Sequence, residues 1–125
     1  MEITTDIDRE AGLRTHKVTG TLSLNDLMAK LDEIYSIPDF QPEMNVLWDL
    51  RNADLASFSS SDIYEVRDFV GYKWGTGGSS RAALVVSRDI DFGLSRMYEI
   101  SLESITTSTL QVFRDFDEAL SWLRS

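Results

Sequence analysis

Met44-Asn45-Val46-Leu47-Trp48-Asp49-Leu50 decides the fold. Val46, Leu47 and Trp48 form a short apolar run that polar residues stop on both sides. A run this short, with β-branched and aromatic members, suits a strand covered on both faces. Its carboxyl end delivers Asp49 and Arg51, then the loop Asn52-Ala53-Asp54-Leu55-Ala56-Ser57-Phe58 and the cluster Ser59-Ser60-Ser61. Open α/β sheets place ligands just beyond the carboxyl ends of their strands, which makes this stretch the first place to expect a site. The remaining segments read as two layers of helix around this strand and its neighbours.

A chain of 125 residues lies in the commonest size range for a single domain. It can bury about two-thirds of its unfolded surface. Its 42% hydrophobic and 26% charged residues are those of a globular protein. A net charge of −9 repels phosphate backbones and anionic lipid, so neither nucleic acid nor a membrane surface is the expected partner. The absence of cysteine removes disulfides, thiol nucleophiles and thiolate metal sites together, and fits a reducing compartment. The opening Met1–Glu10 has no basic patch or apolar core of a signal peptide. No apolar stretch approaches the roughly 20 residues that cross a bilayer. The expectation is a cytoplasmic protein without a membrane span.

Outward from the central strand, Ile3–Ile7 and Leu13–Thr19 alternate weakly about a turn at Asp8–Gly12 and read as a hairpin at a sheet edge. Arg14, His16 and Val18 share one side of the second strand, and the single histidine, His16, is read as solvated there. Gly20 is read as the strand's end. Ser23 with Asp26 makes a capping box for a helix whose apolar face is Leu24, Leu27, Met28, Leu31, Ile34 and Tyr35, ended by Pro38. After the central strand, the Ser59–Asp62 cap starts a helix to about Trp74, with Ile63, Val66, Val70 and Trp74 inward. Tyr64, Phe69 and Tyr72 fall off that stripe. Gly75–Ser80 closes this helix and precedes a strand, the reverse of a phosphate-cradling loop, so it is a terminator and link. Ala82–Val86 is a second buried strand, followed by a helix from about Phe92 to Ser104. Leu110–Phe113 is the last strand, and Asp115 with Glu118 caps a final helix.

The order β-β-α-β-α-β-α-β-α implies an α/β fold: a mostly parallel five-stranded sheet with an antiparallel edge strand and helices on its faces. Within that order, Val46–Arg51, Arg81–Val86, Gly93–Met97 and above all the ending Val112–Leu123 resemble the SpoIIAA-like family, in the wider STAS and CRAL-TRIO-like group of folds. The likeness spans nearly the whole chain, as one domain, residues 1–125. It implies a non-enzymatic binding or regulatory module, like the bacterial anti-sigma-factor antagonists, docking a protein through the loop and helix after the central strand. In those antagonists a serine at the start of that helix is phosphorylated. The equivalent here is Ser59 or Ser60, within Ser57–Asp62, where the antagonists' Asp-Ser-Ser-Gly pattern is absent. The CRAL-TRIO side of the likeness implies the alternative, a carrier or sensor of a small apolar or amphipathic ligand.

The residues themselves support two binding surfaces. Tyr64, Phe69 and Tyr72 beside Ser57 and Ser59 offer aromatic area for a protein partner, and the same tyrosines would serve a homodimer. Asp49, Arg51, Arg88, Asp89, Arg96 and Arg114 should gather at the carboxyl edge of the sheet. There the arginines either bind an anionic group or pair with Asp49, Asp89 and Asp115. For a carried ligand, the inward faces of the second and third helices, Val66, Val70, Trp74 and Met97, would supply the apolar wall. No Ser-His-Asp order, nucleophile elbow, metal-ligand spacing or cofactor motif appears, so no catalytic residue, metal or cofactor is expected.

Overall fold

The computed structural model describes residues 1–36, 44–74, 80–103 and 109–125, with only the backbone of Lys73 and Trp74. Among the described residues, nine elements follow in order. β1 (Glu2–Asp8) and β2 (Leu13–Thr21) form a hairpin; α1 (Leu24–Tyr35), β3 (Asn45–Asp54), α2 (Ser60–Trp74), β4 (Arg81–Val85), α3 (Asp89–Leu102), β5 (Thr109–Phe113) and α4 (Phe116–Arg124) come after. The expected helix stop at Pro38, the Gly75–Ser79 link, the inward side chain of Trp74 and the helix end at Ser104 lie outside the described residues.

Spatial order equals chain order, β1-β2-β3-β4-β5, with β1 antiparallel to β2 and the other neighbours parallel. That monotonic order has a consequence for the helices. A sheet that grows in one direction through crossovers of one hand lays every crossover helix on the same face. Accordingly α1, α2 and α3 cover one face, where Val18, Val46, Leu50, Ala82, Leu84 and Val112 pack with Leu27, Leu31, Ile63 and Val66. Only α4, which follows the last strand, covers the other, through Ala119 and Leu123 against Leu47, Ala83 and Val85. The layers are therefore unequal, three helices against one.

The parity of β3 assigns its residues to these layers. Val46, Trp48 and Leu50 face α1–α3, while Leu47 and Asp49 face the α4 side, as period-2 alternation requires. Caps fix the helix starts: Ser23 Oγ accepts from the Asp26 amide at 3.3 Å, and Asp115 Oδ1 accepts from the Glu118 amide at 2.9 Å.

Three local readings change. Gly20 does not end β2; it stays paired with Ala53 at φ +90°, where an added Cβ would meet the Met1 backbone at 3.4 Å. Asn52–Asp54 is strand rather than loop, because β2 continues alongside it past a register shift between Lys17 and Thr19. α3 starts at Asp89, three residues before Phe92, with Asp89 and Asp91 in its first turn where the helix dipole favours carboxylates.

The largest change concerns His16. β2 is inside the sheet, since β1 takes the edge, and His16 is fully buried. Its ring lies 4.3 Å from that of Trp48, its partner across β3, and Nδ1 is 2.8 Å from Thr5 Oγ1 on β1. A polar run in β2 looked like a wetted edge but serves the interior.

Candidate functional site

At the carboxyl ends of the strands the arginines are held by carboxylates. Arg51 Nε and Nη2 donate to Asp49 Oδ1 and Oδ2 at 2.8 and 2.9 Å, and its guanidinium also lies over the Phe116 ring at 4.8 Å. This fork holds the Asp49 carboxyl below the usual carboxylate range, against the opposing effect of its burial. Arg88 clamps Asp91, Nε to Oδ2 at 2.8 Å and Nη2 to Oδ1 at 3.0 Å, and also donates to Asp54 Oδ1 at 2.7 Å. Arg114 pairs with Asp89 at 2.7 Å over the Phe92 ring. Arg96 lies elsewhere, further along α3, where it pairs with Glu99; the other Glu99 oxygen accepts from the Val112 amide at 2.9 Å. Arg88 ties the start of α3 to the end of β3 through Asp54, Arg114 ties the chain after β5 to Asp89 of α3, and Asp49–Arg51 braces β3 itself, so this edge is a braced rim.

The serines are engaged as well. Ser57 Oγ donates to the Leu22 carbonyl at 2.8 Å. Ser59 Oγ accepts from the Asp62 amide at 3.1 Å while Asp62 Oδ2 accepts from the Ser59 amide at 3.0 Å, a reciprocal box with Asp in the third helical position. Replacing Ser59 with Ala should cost about 1 kcal/mol of stability, the usual loss for such a cap, read as a lower denaturant midpoint. Ser60 is exposed in the first turn of α2. On that helix Phe69 is partly buried and meets Tyr35 of α1 edge-on at 6.2 Å. Tyr64 carries the Arg67 guanidinium over its ring at 4.8 Å, and Tyr72 is 84% exposed.

Between the sheet and α1–α3 lies a cavity of about 100 Å³. Its walls are apolar along most of their length, from Val46 and Ala82 through Trp48 and Leu84 to Leu50 and Phe58. Val66 and Val70, two of the residues expected to wall a ligand, line it; Met97 packs against the surrounding core. Its polar members are Arg14, Tyr35, Ser95 and Tyr98. Arg14 is opposite Val46 in the register, at the second position of β2, and Tyr35 ends α1, so this polar pole is at the amino ends of the parallel strands.

The pole is electrostatically unusual. Arg14 is only 2% exposed, and burial disfavours its charge. Burial pushes Tyr35 up to about 12 although the Arg14 charge pulls the other way, and it lifts Tyr98 well above the ordinary phenol range. His16, one step along from Arg14 on the same face of β2, is pushed down to about 3 by burial first and by Arg14 second. Its Nε2 is buried without a hydrogen-bond partner among the described residues. Sequence reasoning had put Arg14, His16 and Val18 on one side of their strand but read that side as wet. Tyr35 belongs to the expected apolar face of the first helix and Tyr98 to the expected third helix, but neither they nor Ser95 read as lining a cavity, since helix spacing alone does not mark a gap between packed side chains.

A five-stranded, mostly parallel sheet with one antiparallel hairpin, three helices on one face and one on the other defines the class: this is a SpoIIAA-like fold. The chain is similar over 98% of its length to 92% of a crystallised, uncharacterized protein of the DUF3478 family from Shewanella loihica PV-4, described as having that fold, with a TM-score of 0.58 and 18% identity. No family model matches the sequence, and no curated protein does. Among the described residues no helix is long and apolar enough to cross a membrane, and no group of three or more His, Cys, Asp or Glu could hold a metal ion.

Proposed function

We propose that this chain is a non-enzymatic binding module that carries or senses a small apolar ligand inside the cavity between the sheet and α1–α3. The observation that supports the reading is the cavity itself, apolar over most of its wall and polar at one end. Native interiors are close-packed, and an apolar space larger than a few waters costs stability when empty. Apolar cavities also stay dry, so a hydrocarbon group entering one displaces no bound water. A pocket that is mostly hydrophobic with a few convergent polar groups is the usual form of a small-molecule site.

Protein purified from cell extract should retain a bound small molecule in native mass spectrometry. The same protein, stripped and titrated to about ten times Kd with a short amphiphile such as 1-butanol or butanoate, should gain about 1.4 kcal/mol, a rise of several degrees in Tm. Ala82→Leu, which places bulk in the cavity wall, should abolish both effects. A clean apo mass together with no thermal shift from either amphiphile overturns the proposal.

A second reading, docking of a protein partner through α2, is favoured by the exposure of Tyr72 and Tyr64. Tyrosine so exposed contributes large contact area at low entropic cost. Tyr72→Ser should then release a partner captured by the wild type, or leave a monomer where the wild type forms a dimer. A partner or dimer that survives the substitution places the interface elsewhere.

A further inference from the structure

The α3 wall of the cavity carries two hydroxyls that the fold does not use. Ser95 is 3% exposed, and Tyr98 follows one helical turn later, so the two share a face of the helix and both line the cavity. Among the described residues neither hydroxyl makes a hydrogen bond. A serine inside a helix often bonds back to the preceding turn. Ser101, further along α3, does so, its Oγ donating to the Tyr98 carbonyl at 2.9 Å. A polar group kept from water without a partner destabilises a fold, and alanine at position 95 would be the better helix former. Folding gives no reason for a hydroxyl at that place. A residue that breaks a local rule without compensation in the fold points to a functional site.

The size of the space limits what can meet these hydroxyls. Benzene, with six non-hydrogen atoms, fits a cavity of about 150 Å³, so a space of about 100 Å³ takes about four or five. We infer that the cavity binds a neutral molecule of that size with a single oxygen, an alcohol or a ketone, its oxygen at Ser95 and Tyr98 and its hydrocarbon part against Trp48 and Leu84. This rests on the carrier reading and adds the ligand's size and its one polar group. The Ser95 hydroxyl both donates and accepts, and the Tyr98 phenol, kept protonated by burial, donates. An oxygen with two lone pairs accepts from both at once. A charged head fits less well, because it would leave water for two neutral hydroxyls in an apolar space. Arg14, also in the lining, is engaged within the protein. A pure hydrocarbon matches the walls but seals both hydroxyls from water unpaired.

The test is an NMR titration of the whole chain, reading the amide shifts of α3 and β3 with 1-butanol, its isostere n-pentane, and butanoate. 1-Butanol should give saturable shifts, and butanoate should bind about tenfold or more weakly than 1-butanol. A hydrocarbon leaves water more readily than an alcohol, so the two isosteres are compared through variants. Ser95→Ala should weaken 1-butanol about fivefold, the effect of one hydrogen bond, while leaving n-pentane within about twofold. Tyr98→Phe should do the same. Ser95→Ala should also unfold in urea at no lower a midpoint than the wild type, since no bond within the fold is lost. Equal losses for both isosteres, or no loss of 1-butanol in either variant, overturn the oxygen assignment and leave the carrier reading standing. A clearly lower urea midpoint for Ser95→Ala overturns it too, by giving that hydroxyl a partner within the fold. Butanoate binding tighter than 1-butanol overturns it in favour of an anion. Saturable shifts from none of the three remove the carrier reading as well. Should Tyr98→Phe fail to fold, Ser95→Ala decides alone.

Discussion

Replacing Asp91 with Ala should cost about 3 kcal/mol of folding stability, enough to lower Tm by about 10 °C for a chain of this size. Asp91 is fully buried, in the first turn of α3. One of its oxygens accepts from the Leu55 amide at 3.2 Å and the other from Arg88 Nε at 2.8 Å, with Arg88 Nη2 bridging at 3.0 Å. It thereby ties the start of α3 to the chain leaving β3, and so holds the carboxyl-end rim over the apolar end of the cavity. Deleting the carboxylate strands the Leu55 amide in a buried place, which costs the full desolvation of that group, and leaves a void beside it. Arg88, with 47% of its side chain exposed, can turn toward Asp54 or water, so its share of the loss is small. Asp91→Asn, which keeps an acceptor for Leu55 but loses the charged pair, should cost only about 1 kcal/mol. Equilibrium unfolding in urea gives both numbers. A loss for Asp91→Ala no greater than that for Asp91→Asn would show that the Leu55 bond contributes nothing.

Why such a residue escapes sequence reading is physical. Ser87-Arg88-Asp89-Ile90-Asp91 looks like a polar loop, because nothing in the string marks Asp91 as the one carboxylate that turns inward. The same limit hid β2. Its Arg14, Thr15, His16 and Lys17 match the pattern of a wetted edge, and only β1, taking the true edge, puts Arg14 and His16 under α1–α3. What was legible depended on hydrophobic runs and caps. Val46-Leu47-Trp48 and Ala82–Val86 lie side by side in the sheet, paired from Val46 with Ala82 to Asp49 with Val85, and the element order follows from the alternation around them. The carboxyl-edge arginines were also visible, but whether they meet a ligand or an aspartate depends on side-chain reach, and Arg51, Arg88 and Arg114 meet aspartates. A cavity is less visible still. It is a shortfall of volume among Leu, Val and Ala, each of which fits a core position, and period and propensity are blind to it.

The buried histidine should make the protein lose stability as pH falls below about 6.5. In the unfolded chain His16 takes up its proton near pH 6.5; in the fold it does so only near 3. A base whose folded value is depressed contributes stability that is whole above the unfolded value and is lost as pH falls through the window between the two. The slope approaches 1.4 kcal/mol per pH unit, so stability should be lower by about 3 kcal/mol at pH 4 than at pH 7 from this residue alone. Burial is the main cause, and Arg14, one step along the strand, adds to it by repelling a second cation. The variant His16→Gln removes the titrating group while keeping a polar side chain near Thr5 and Trp48. At pH 7 it should be less stable than the wild type, because the ring's stacking on Trp48 is gone. Toward pH 4 its stability should fall less steeply, so that the two curves converge and then cross. Urea midpoints measured at half-unit steps from pH 7.5 to 4 make the comparison, and the carboxylates, common to both proteins, cancel. Parallel curves through that range would mean that His16 takes up its proton in the fold as readily as in the unfolded chain, and that burial does not hold it neutral.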